Sequence, residues 1–455
     1  EVGRRSGWSQ PVPAASYHNG CSHSWSWRKF LLKPLKIVVL CGGLSTERNI
    51  SFLTGTRVCA ALRGRGHKAV LVDLYLGIED RASGSSVEGL AQYGEGAAEA
   101  FRRSGTFDPS ALFETLPPVP AYFFDGQSPD LEAVRRSRKW DSPSIFGRHV
   151  LELCAAADIV FIAMHGKNGE DGRVQAAFDM LGIPYTGSGH LGAAMAMDKM
   201  ITKMIVGSRG VRTPAFRRWD FSEVVPDEIR SDGQGDSPDS AERGQSDSDE
   251  KTGIARTDFA KEAAVNALRE KFVRSVCRQT DVPCVVKTPD GGSSVGVYIV
   301  RKKEDLEEAV RGCLAYGDVF MTEQFIEGRE FTCGVLCGQA LPSVEIVPKT
   351  RFYDYSNKYA AGATEEICPG RCTPQIEKEI GQTALKVHEI MGLSTYSRSD
   401  FMIDKEDRVW FIEVNTLPGM TGTSLVPQEA EAIGIGYEDL CEKIVEDGLR
   451  LRGRG

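Results

Sequence analysis

The sequence predicts an α/β protein whose first domain contains a parallel sheet covered by helices. Two observations support this fold class. Short apolar runs of strand length alternate with helical segments, and the pair Gly42-Gly43 separates the first run from the helix after it. The predicted elements of the first domain are a strand over 35–41, a helix ending near 64–66, strands over 69–72 and 158–163, a helix over about 172–181 and a short strand around Tyr185.

The second half of the chain predicts more strands, several of them joined by short turns. β-Branched runs on both sides of residues 291–296 indicate a strand, a glycine-rich turn and a second strand. The predicted elements are a helix over about 259–278, strands over 282–287 and 297–300, a helix over 304–314, strands over 319–325, 330–336 and 343–347, a helix over 375–391, strands over 396–403 and 408–415, and a closing helix over about 437–449.

Composition and length exclude several classes of protein. A chain of 455 residues corresponds to about three domains, and 41% hydrophobic with 26% charged residues is ordinary for a globular protein. No apolar run approaches the roughly 18 residues of a membrane-spanning helix, which argues against a membrane protein. The net charge of −8 and the lack of a strongly basic block argue against nucleic acid as a partner.

Three segments fall outside the pattern of alternating strands and helices. Residues 1–34 lack a continuous apolar segment, so we expect a disordered extension rather than a secretory signal. Residues 77–150 are rich in Gly, Ser and Pro and indicate an irregular insertion within the first domain. Residues 231–253 contain seven acidic, two basic and no aromatic residues, which predicts a disordered surface loop within an insertion at about 220–256.

The twelve cysteines are scattered, and several lie inside predicted apolar strands. Two pairs, Cys333/Cys337 and Cys368/Cys372, are spaced C-x3-C, but no second Cys or His pair follows at the spacing of a zinc finger. We therefore expect reduced, mostly buried thiols in a cytosolic protein rather than a disulfide framework or a zinc site.

The glycine-rich turn at 291–296 is a candidate phosphate-binding loop. Glycine and serine allow backbone N–H groups to approach phosphate oxygens closely, and Lys287 on the preceding strand would bring an ammonium to the same place. The turn matches neither the P-loop pattern nor the Rossmann pattern. By itself it is also explained as an ordinary hairpin turn.

Polar side chains follow the same alternation on the last two predicted strands. Arg398 and Asp400 are two residues apart on one strand, and Glu413 and Asn415 are two apart on the next. Because side chains alternate along a strand, the four are predicted to share one face. Two carboxylates and an amide oxygen suit Mg²⁺. A solvent-facing polar surface with an Arg–carboxylate pair explains the same pattern equally well.

The register of these two strands follows from the position of the turn. If residues 404–407 form the turn, Ile403 lies opposite Arg408, and Asp400 lies opposite Phe411. The other face of the pair would then carry the apolar residues Phe401, Ile403, Trp410, Ile412 and Val414.

Residues 353–362 form an aromatic and polar segment that is too irregular for a helix or a strand. It contains Tyr353 and Tyr359, with Lys358 as a mobile positive charge. Such a loop can close over a ligand and exclude water, although a surface loop whose tyrosines cover apolar neighbours fits equally well.

Taken together in chain order, these segments resemble the D-alanine–D-alanine ligases of the ATP-grasp superfamily. Nine ordered blocks carry the resemblance over residues 36 to about 448, and they are far more specific than any single motif. The blocks are 42–48 (GGLSTER), 164–172 (MHGKNGEDG), 185–189 (YTGSG), 197–199 (MDK), 286–289 (VKTP) with the Gly-Ser turn, 327–332 (EGREFT), the 353–359 loop, 398–400 (RSD), and 413–421 (EVNTLPGMT) through 424–427 (SLVP).

The resemblance implies a parallel α/β domain at 35–195, followed by a two-lobed α+β ATP-grasp domain. Its central lobe would span 196–345, and its C-terminal lobe, with the metal and substrate sites, would span 346–455. The implied activity is ATP-dependent ligation of two D-alanine molecules through a D-alanyl phosphate, with release of ADP and phosphate, for peptidoglycan precursor synthesis. A homodimer in the cytoplasm is implied as well.

The resemblance also implies which residues bind ATP. Glu323, Gln324 and Ile326 would contact adenine, the latter two through backbone groups, and Glu330 would bind the ribose. Lys358 would reach the γ-phosphate when its loop closes. The other phosphate ligands would be Lys199, Lys287 and the loop residues Gly291, Gly292, Ser293 and Ser294, and two Mg²⁺ (or Mn²⁺) ions would be held by Asp400, Glu413 and Asn415.

On the amino-acid side, Glu47 is implied to accept the ammonium of the first D-alanine, supported by Ser293 and Tyr359. Arg398 and the backbone N–H of Gly419 would stabilise the tetrahedral oxyanion. The remaining substrate residues would be His165 near the first D-alanine, Ser424 with Gly419 at the carboxylate of the second, and Tyr353 in the closing loop.

Three alternatives stay open within this resemblance. A ligase for D-serine or D-lactate is possible on the same fold, although Tyr359 argues against lactate. A catalytically silent ATP-binding relative is disfavoured because Glu47, Arg398 and the three metal-site residues are all present. Another carboxylate–amine ligase would leave the blocks around Glu47 and Ser424 unexplained. Gln324 stands where relatives often carry Lys, which matters little for a backbone contact.

Overall fold

The structure is a computed structural model that describes residues 33–78, 107–122, 128–226, 250–290, 296–348 and 364–453. For residues 250–260 it describes the course of a helix and not the side chains. The predicted N-terminal extension, except for its last two residues, lies outside these ranges.

A three-stranded parallel sheet forms the first layer, as predicted. Its strands are β1 (Lys36–Cys41), β2 (Lys68–Asp73) and β3 (Ile159–Ile162), in the order β2-β1-β3. Helix α1 (Arg48–Gly64) connects β1 to β2 and packs on both. The strands read as continuous apolar runs because both faces of this sheet are covered.

The segment predicted as an irregular insertion contains helices where it is described, so that prediction was wrong for those residues. Helices α2 (Pro109–Thr115) and α3 (Leu131–Ser137) precede α4 (Val150–Ala156). Asp108 and Asp130 cap the first two by accepting backbone N–H bonds at 2.9 Å each. Helices of seven residues are too short to show a clear 3.6-residue periodicity, which is why the sequence pattern missed them.

Three helices lead from the parallel sheet into the second half of the chain. They are α5 (Arg173–Leu181), α6 (His190–Met197) and α7 (Lys199–Ser208). Asp198 caps α7 by accepting the N–H groups of Met200 and Ile201 at 2.8 and 3.0 Å. The short strand predicted around Tyr185 is an isolated parallel bridge to Val160 on β3.

A four-stranded antiparallel sheet follows. Its strands are β4 (Phe216–Asp220), β5 (Cys284–Lys287), β6 (Val297–Val300) and β7 (Val319–Gln324), in the order β4-β7-β5-β6. Helices α8 (Glu250–Gln279) and α9 (Leu306–Leu314) bury their apolar residues against it.

Helix α8 corrects the prediction of disorder over 231–253. The helix begins at Glu250, so residues 250–253 are helical, whereas residues 227–249 lie outside the described ranges. Val273 and Val276 anchor the helix in the core, and its polar first half extends N-terminally from that anchor. Composition alone missed this because Thr252 and Gly253 are poor helix formers, and residues 250–253 are helical only as the continuation of a longer helix.

The third sheet has six strands. They are β8 (Gly328–Leu336), β9 (Gln339–Ala340), β10 (Val344–Pro348), β11 (Thr364–Ile367), β12 (Tyr396–Asp404) and β13 (Val409–Asn415). Their order is β11-β10-β8-β12-β13, with β9 paired to β8, and helix α10 (Pro374–Ile390) packs on one face. The sheet takes strands from both sides of residue 345, and the boundary placed there stays a prediction.

The predicted register of β12 and β13 was wrong by one residue near the turn and by two at Asp400. Ile403 lies opposite Val409, and Asp400 lies opposite Glu413, with a β-bulge between Asp400 and Phe401. The bulge makes Ile412 the extra residue of β13. A bulge leaves no trace in hydrophobic alternation, so the sequence pattern could not locate it.

The bulge also changes which residues reach the core. Phe411 pairs with Phe401, and both rings are fully buried, 6.1 Å apart between their centroids. Trp410, which was predicted to lie on the core face, pairs with Met402 on the opposite face and donates from its indole N–H to Asp404 at 2.7 Å. Ile412 is half-buried.

The last two helices return the chain to the first sheet. Helix α11 (Leu425–Glu431) packs on β8, and α12 (Tyr437–Arg452) packs on α1 and β3. A side chain added at Gly448 would lie 2.9 Å from Ile159, which shows how closely α12 approaches β3. The apolar residues of α12, including Ile444 and Val445, therefore share one core with the parallel sheet.

The prediction of free, mostly buried thiols is confirmed for the described part of the chain. The eleven cysteines in the described ranges are free thiols, and Cys41, Cys284 and Cys333 are buried. None of the described helices combines the length and apolar character needed to cross a bilayer.

We predict that Phe411→Ala lowers the free energy of unfolding by about 3–5 kcal/mol, because it leaves a cavity beside Phe401. Urea denaturation followed by circular dichroism measures the change. Ile299→Ala is the matched control, since Ile299 is an apolar strand residue that is 59% exposed. Equal losses in the two variants would contradict the position of Phe411 in the core.

Candidate active site

Glu47 lies at the N-terminus of α1, at the carboxyl end of the parallel sheet. Its main-chain N–H donates to the hydroxyl of Ser45 at 3.2 Å, and its carbonyl accepts from Ser51. The carboxylate lies against the backbone of the 164–172 block, because a Cβ placed on Gly166 would be 2.8 Å from Glu47 Oε2. The first and second blocks of the sequence pattern are therefore neighbours in space.

His165 is buried between these blocks, and both of its ring nitrogens are engaged. Nδ1 lies 3.0 Å from the carbonyl oxygen of Leu417, and Nε2 lies 2.8 Å from the hydroxyl of Thr54. Because a carbonyl oxygen only accepts, Nδ1 carries the proton and Nε2 accepts from Thr54. Burial lowers the pKa of His165, although nearby Glu47 opposes this shift, so the ring is neutral.

Glu170 is a member of this cluster that the sequence reading did not single out. Its carboxylate accepts the N–H of Gly166 at 2.7 Å. Burial, followed by the charge of Glu47, raises the pKa of Glu170 to about 8. Its place in the 164–172 block was the available signal.

The candidate phosphate-binding lysines lie on two different elements. Lys199 begins α7, and its ammonium is 3.3 Å from Glu413 Oε2. Lys287 ends β5 and forms an ion pair with Glu323 on β7. The main-chain N–H of Lys199 donates to the carbonyl of Pro289 at 3.0 Å, which ties α7 to the chain entering the glycine-rich turn.

Lys203 is a second residue that sequence reasoning missed. Its side chain is completely buried one turn after Lys199, 2.8 Å from Glu323 and 2.8 Å from the hydroxyl of Thr213. Burial lowers the pKa of Lys203 to about 8. Glu323 therefore lies between two ammonium groups, and these hold its pKa below the ordinary value even though burial alone would raise it. The i, i+4 spacing from Lys199 was the only signal.

The predicted adenine edge follows directly after Glu323. Gln324 is exposed at the end of β7, and its N–H donates to the carbonyl of Ala215 at 2.8 Å. Ile326 is buried beside an open cleft that Asp404 and Trp410 also line. Glu330 lies on β8, opposite Met402 on β12.

The four polar residues of β12 and β13 share one face, as predicted, because Arg398 pairs with Asn415 and Asp400 pairs with Glu413. Arg398 forms a two-pronged ion pair with Asp400, with N–O distances of 2.8 and 2.9 Å. Burial alone would lower the pKa of Arg398, but the adjacent Asp400 raises it, so the guanidinium is always charged.

This oxygen set fits Mg²⁺. Two carboxylates and one amide oxygen come together on adjacent strands, and both carboxylates have a cation beside them, Arg398 at Asp400 and Lys199 at Glu413. The described residues contain no group of three or more His, Cys, Asp or Glu side chains arranged as a metal centre. The remaining ligands would therefore be phosphate oxygens or water.

Gly419 and Ser424 lie next to each other between β13 and α11. Ser424 precedes α11, and its hydroxyl accepts the N–H of Thr421 at 2.9 Å and lies 2.8 Å from the hydroxyl of Thr421. A Cβ added to Gly419 would be 2.7 Å from Ser424 Oγ, so a side chain at this position would displace the Ser424 hydroxyl.

Several predicted site residues lie outside the described ranges, and their roles stay predictions. They are the turn residues Gly291, Gly292, Ser293 and Ser294 and the loop residues Tyr353, Lys358 and Tyr359.

Comparison with known families identifies the chain. A family model described as D-ala D-ala ligase N-terminus matches residues 36–188, and one described as D-ala D-ala ligase C-terminus matches residues 250–446. The two matches cover most of the chain.

The chain belongs to the D-alanine–D-alanine ligase family.

Named relatives of this ligase family cover nearly the whole chain. The D-alanine–D-alanine ligase of Pediococcus pentosaceus is 35% identical over 90% of this chain and 97% of its own length. That of Lacticaseibacillus casei is 33% identical over 92% of this chain and 98% of its own length.

Solved structures of this ligase family share the fold. The Bacillus anthracis D-alanine–D-alanine ligase complexed with ATP has a TM-score of 0.56 at 24% identity, covering 92% of this chain and 98% of its own. The Coxiella burnetii enzyme has a TM-score of 0.57 at 21% identity, covering 92% and 95%.

Glu429 on α11 is a buried carboxyl group near the family's Arg398–Asp400 pair. Gly334 on β8 lies opposite Arg398 and donates its N–H to Glu429 Oε2 at 2.7 Å. The other oxygen, Oε1, is buried without a hydrogen-bond partner among the described residues. Burial raises the pKa of Glu429 to about 8, although Arg398 acts in the opposite direction. Glu429 is therefore mostly protonated at neutral pH.

We predict that Glu429 makes stability fall as the pH rises from about 4.5 to about 8. In this window the folded protein binds a proton that the unfolded chain has released, so deprotonation favours unfolding. Glu429→Gln removes the titrating group and flattens this part of the curve.

Urea denaturation at about pH 5, 7 and 9 measures this effect. Glu431→Gln is the matched control, because Glu431 is exposed on the same helix. The free energy of unfolding of Glu431→Gln should change with pH as it does in wild type. The same pH dependence in Glu429→Gln would contradict the prediction.

Proposed function

We propose that the chain joins two D-alanine molecules into D-alanyl-D-alanine, using ATP and releasing ADP and phosphate. One observation carries the proposal. Residues proposed for the nucleotide and residues proposed for the amino acids meet at the β12–β13 pair, where Lys199 contacts Glu413 and Arg398 forms an ion pair with Asp400. Arg398 is also close enough to act electrostatically on His165 and Glu170 beside Glu47. Membership of the ligase family supports the same activity.

The proposed reaction has two steps. The carboxylate of the first D-alanine attacks the γ-phosphorus of ATP, which forms a D-alanyl phosphate and releases ADP. The amine of the second D-alanine then attacks the acyl carbon, and phosphate leaves from the tetrahedral intermediate. Phosphorylation is required because a carboxylate is a poor electrophile. In this reaction the protein contributes positioning and charge stabilisation.

The chain's own residues divide this work between two groups. Lys199 and Lys287 would neutralise the phosphates, and Glu323 with Lys203 would hold Lys287 in place. Glu47 would accept the ammonium of the first D-alanine. Two sets complete the assignment: Gln324, Ile326 and Glu330 at the nucleoside, and Arg398, Gly419 and Ser424 at the oxyanion and the second carboxylate.

Asp400, Glu413 and Asn415 would hold two Mg²⁺ ions. Bound Mg²⁺ supplies charge neutralisation at the β- and γ-phosphates. The chain itself keeps these oxygens on one face through the cross-strand pairs of β12 and β13.

We also infer a homodimer. Met180 and Leu181 at the end of α5 and Leu191 on α6 are 89%, 54% and 62% exposed, an unusual exposure for large apolar side chains on neighbouring helices. A monomer in sedimentation velocity would contradict this inference. The location in the cytoplasm stays a prediction, and cell fractionation would test it.

We predict that the purified chain releases ADP with D-alanine as the only amino acid and forms D-alanyl-D-alanine. A coupled ADP-release assay with mass spectrometry of the product measures both. Parallel reactions that add D-serine or D-lactate test the alternative second substrates. If the main product contained D-serine or D-lactate instead of a second D-alanine, the proposed specificity for D-alanine would be wrong.

We predict that Glu413→Ala and Asn415→Ala each lower phosphate release by more than about 100-fold, because each removes an oxygen ligand of the metal site. Melting temperatures close to wild type would show that the fold is retained. Glu304→Ala is the control, since the Glu304 side chain is 72% exposed and Glu304 belongs to neither of these strands. Retained turnover in both ligand variants would refute the assignment.

A further inference from the structure

The segment 416–421 carries Gly419, the proposed donor to the oxyanion, and side chains from other elements hold it at both ends. At its start, the carbonyl of Leu417 accepts from His165 Nδ1 at 3.0 Å. The segment is therefore bound to the 164–172 block of the first domain through the buried ring of His165.

At its other end, the segment is bound to the closing helix. The hydroxyl of Tyr437 donates to the carbonyl of Met420 at 2.5 Å. Tyr437 is the first residue of α12, and its ring packs against the core of the parallel sheet. Because the ring is fixed by this packing, the hydroxyl can hold Met420 in one position.

Gly419 lies between these two anchored residues. Met420 and Leu417 are both fully or almost fully buried, whereas Gly419 is half-exposed and faces Ser424. The N–H of Gly419 belongs to the planar peptide between Pro418 and Gly419, and a second planar peptide joins Gly419 to Met420. A displacement of Met420 would therefore move the Cα of Gly419, and with it the direction of the Gly419 N–H and its distance from Ser424.

We propose that Tyr437 is a positioning residue that, opposite His165, fixes the backbone of residues 417–420 for the second step of the reaction. The proposal rests on the proposed function, because it concerns the tetrahedral intermediate formed with the second D-alanine. Tyr437 acts through Met420 and touches neither substrate.

The test is Tyr437→Phe, which removes one hydroxyl and keeps the packed ring. The expected result is a decrease of kcat and an increase of KM for the second D-alanine, between about threefold and tenfold in kcat/KM, with KM for ATP unchanged. A phosphinate analogue of the tetrahedral intermediate should lose affinity by the same factor. If the substitution only lowered the folding stability, kcat/KM for the second D-alanine and the affinity for the analogue would stay as in wild type.

Tyr316→Phe is the matched control, because Tyr316 is 61% exposed. Amide hydrogen exchange provides a readout that needs no activity, and the amides of 417–421 should exchange faster in Tyr437→Phe than in either wild type or the control. Wild-type kinetics, analogue affinity and exchange in Tyr437→Phe would overturn the proposal. Wild-type protein that makes no dipeptide would instead refute the proposed function, while the exchange result would still report on the anchoring of the segment.

Discussion

The pairing of β12 with β13 is the constraint on which the candidate site depends. Backbone hydrogen bonds place Asp400 opposite Glu413 and Arg398 opposite Asn415, and the bulge beside Asp400 changes the register without changing their common face. Flexible loops would not keep these four polar side chains on one face. Phe401 and Phe411 are buried on the other face of the same strand pair. The same cross-strand pairing therefore determines both the core packing and the positions of the polar side chains.

Four carboxylates of the site show two ways of avoiding an isolated buried charge: Glu323 and Asp400 lie beside cations, whereas Glu170 and Glu429 carry a proton. Glu323 has Lys203 and Lys287 as neighbours, and Asp400 has Arg398. Glu429 keeps its proton at neutral pH, because the attraction of Arg398 does not offset the effect of burial on its pKa. Isolated buried charge is avoided because desolvation is unfavourable by several kcal/mol per ion. The two ammonium groups that share Glu323 leave one positive charge in excess, which suits a polyanionic substrate.

The sequence predicted most strands and long helices within a few residues, and the family resemblance, which joined distant blocks such as those of Glu47 and Arg398, is confirmed. What it missed depends on contacts between elements. The bulge at Ile412 is set by how two strands meet, and Lys203 is buried only because α7 packs beside β7. Tyr437 acquires its contact with Met420 only when the closing helix is in place. None of these is periodic, so no sequence pattern records them.

The position of α12 has a consequence for how the protein is made. Its residues Ile444 and Val445 complete the core of a sheet whose first strand is β1, more than 400 residues earlier in the described chain. Part of the apolar surface of this sheet is therefore covered only once α12 has been synthesised. Until then the growing chain exposes apolar surface, which in folding intermediates promotes aggregation.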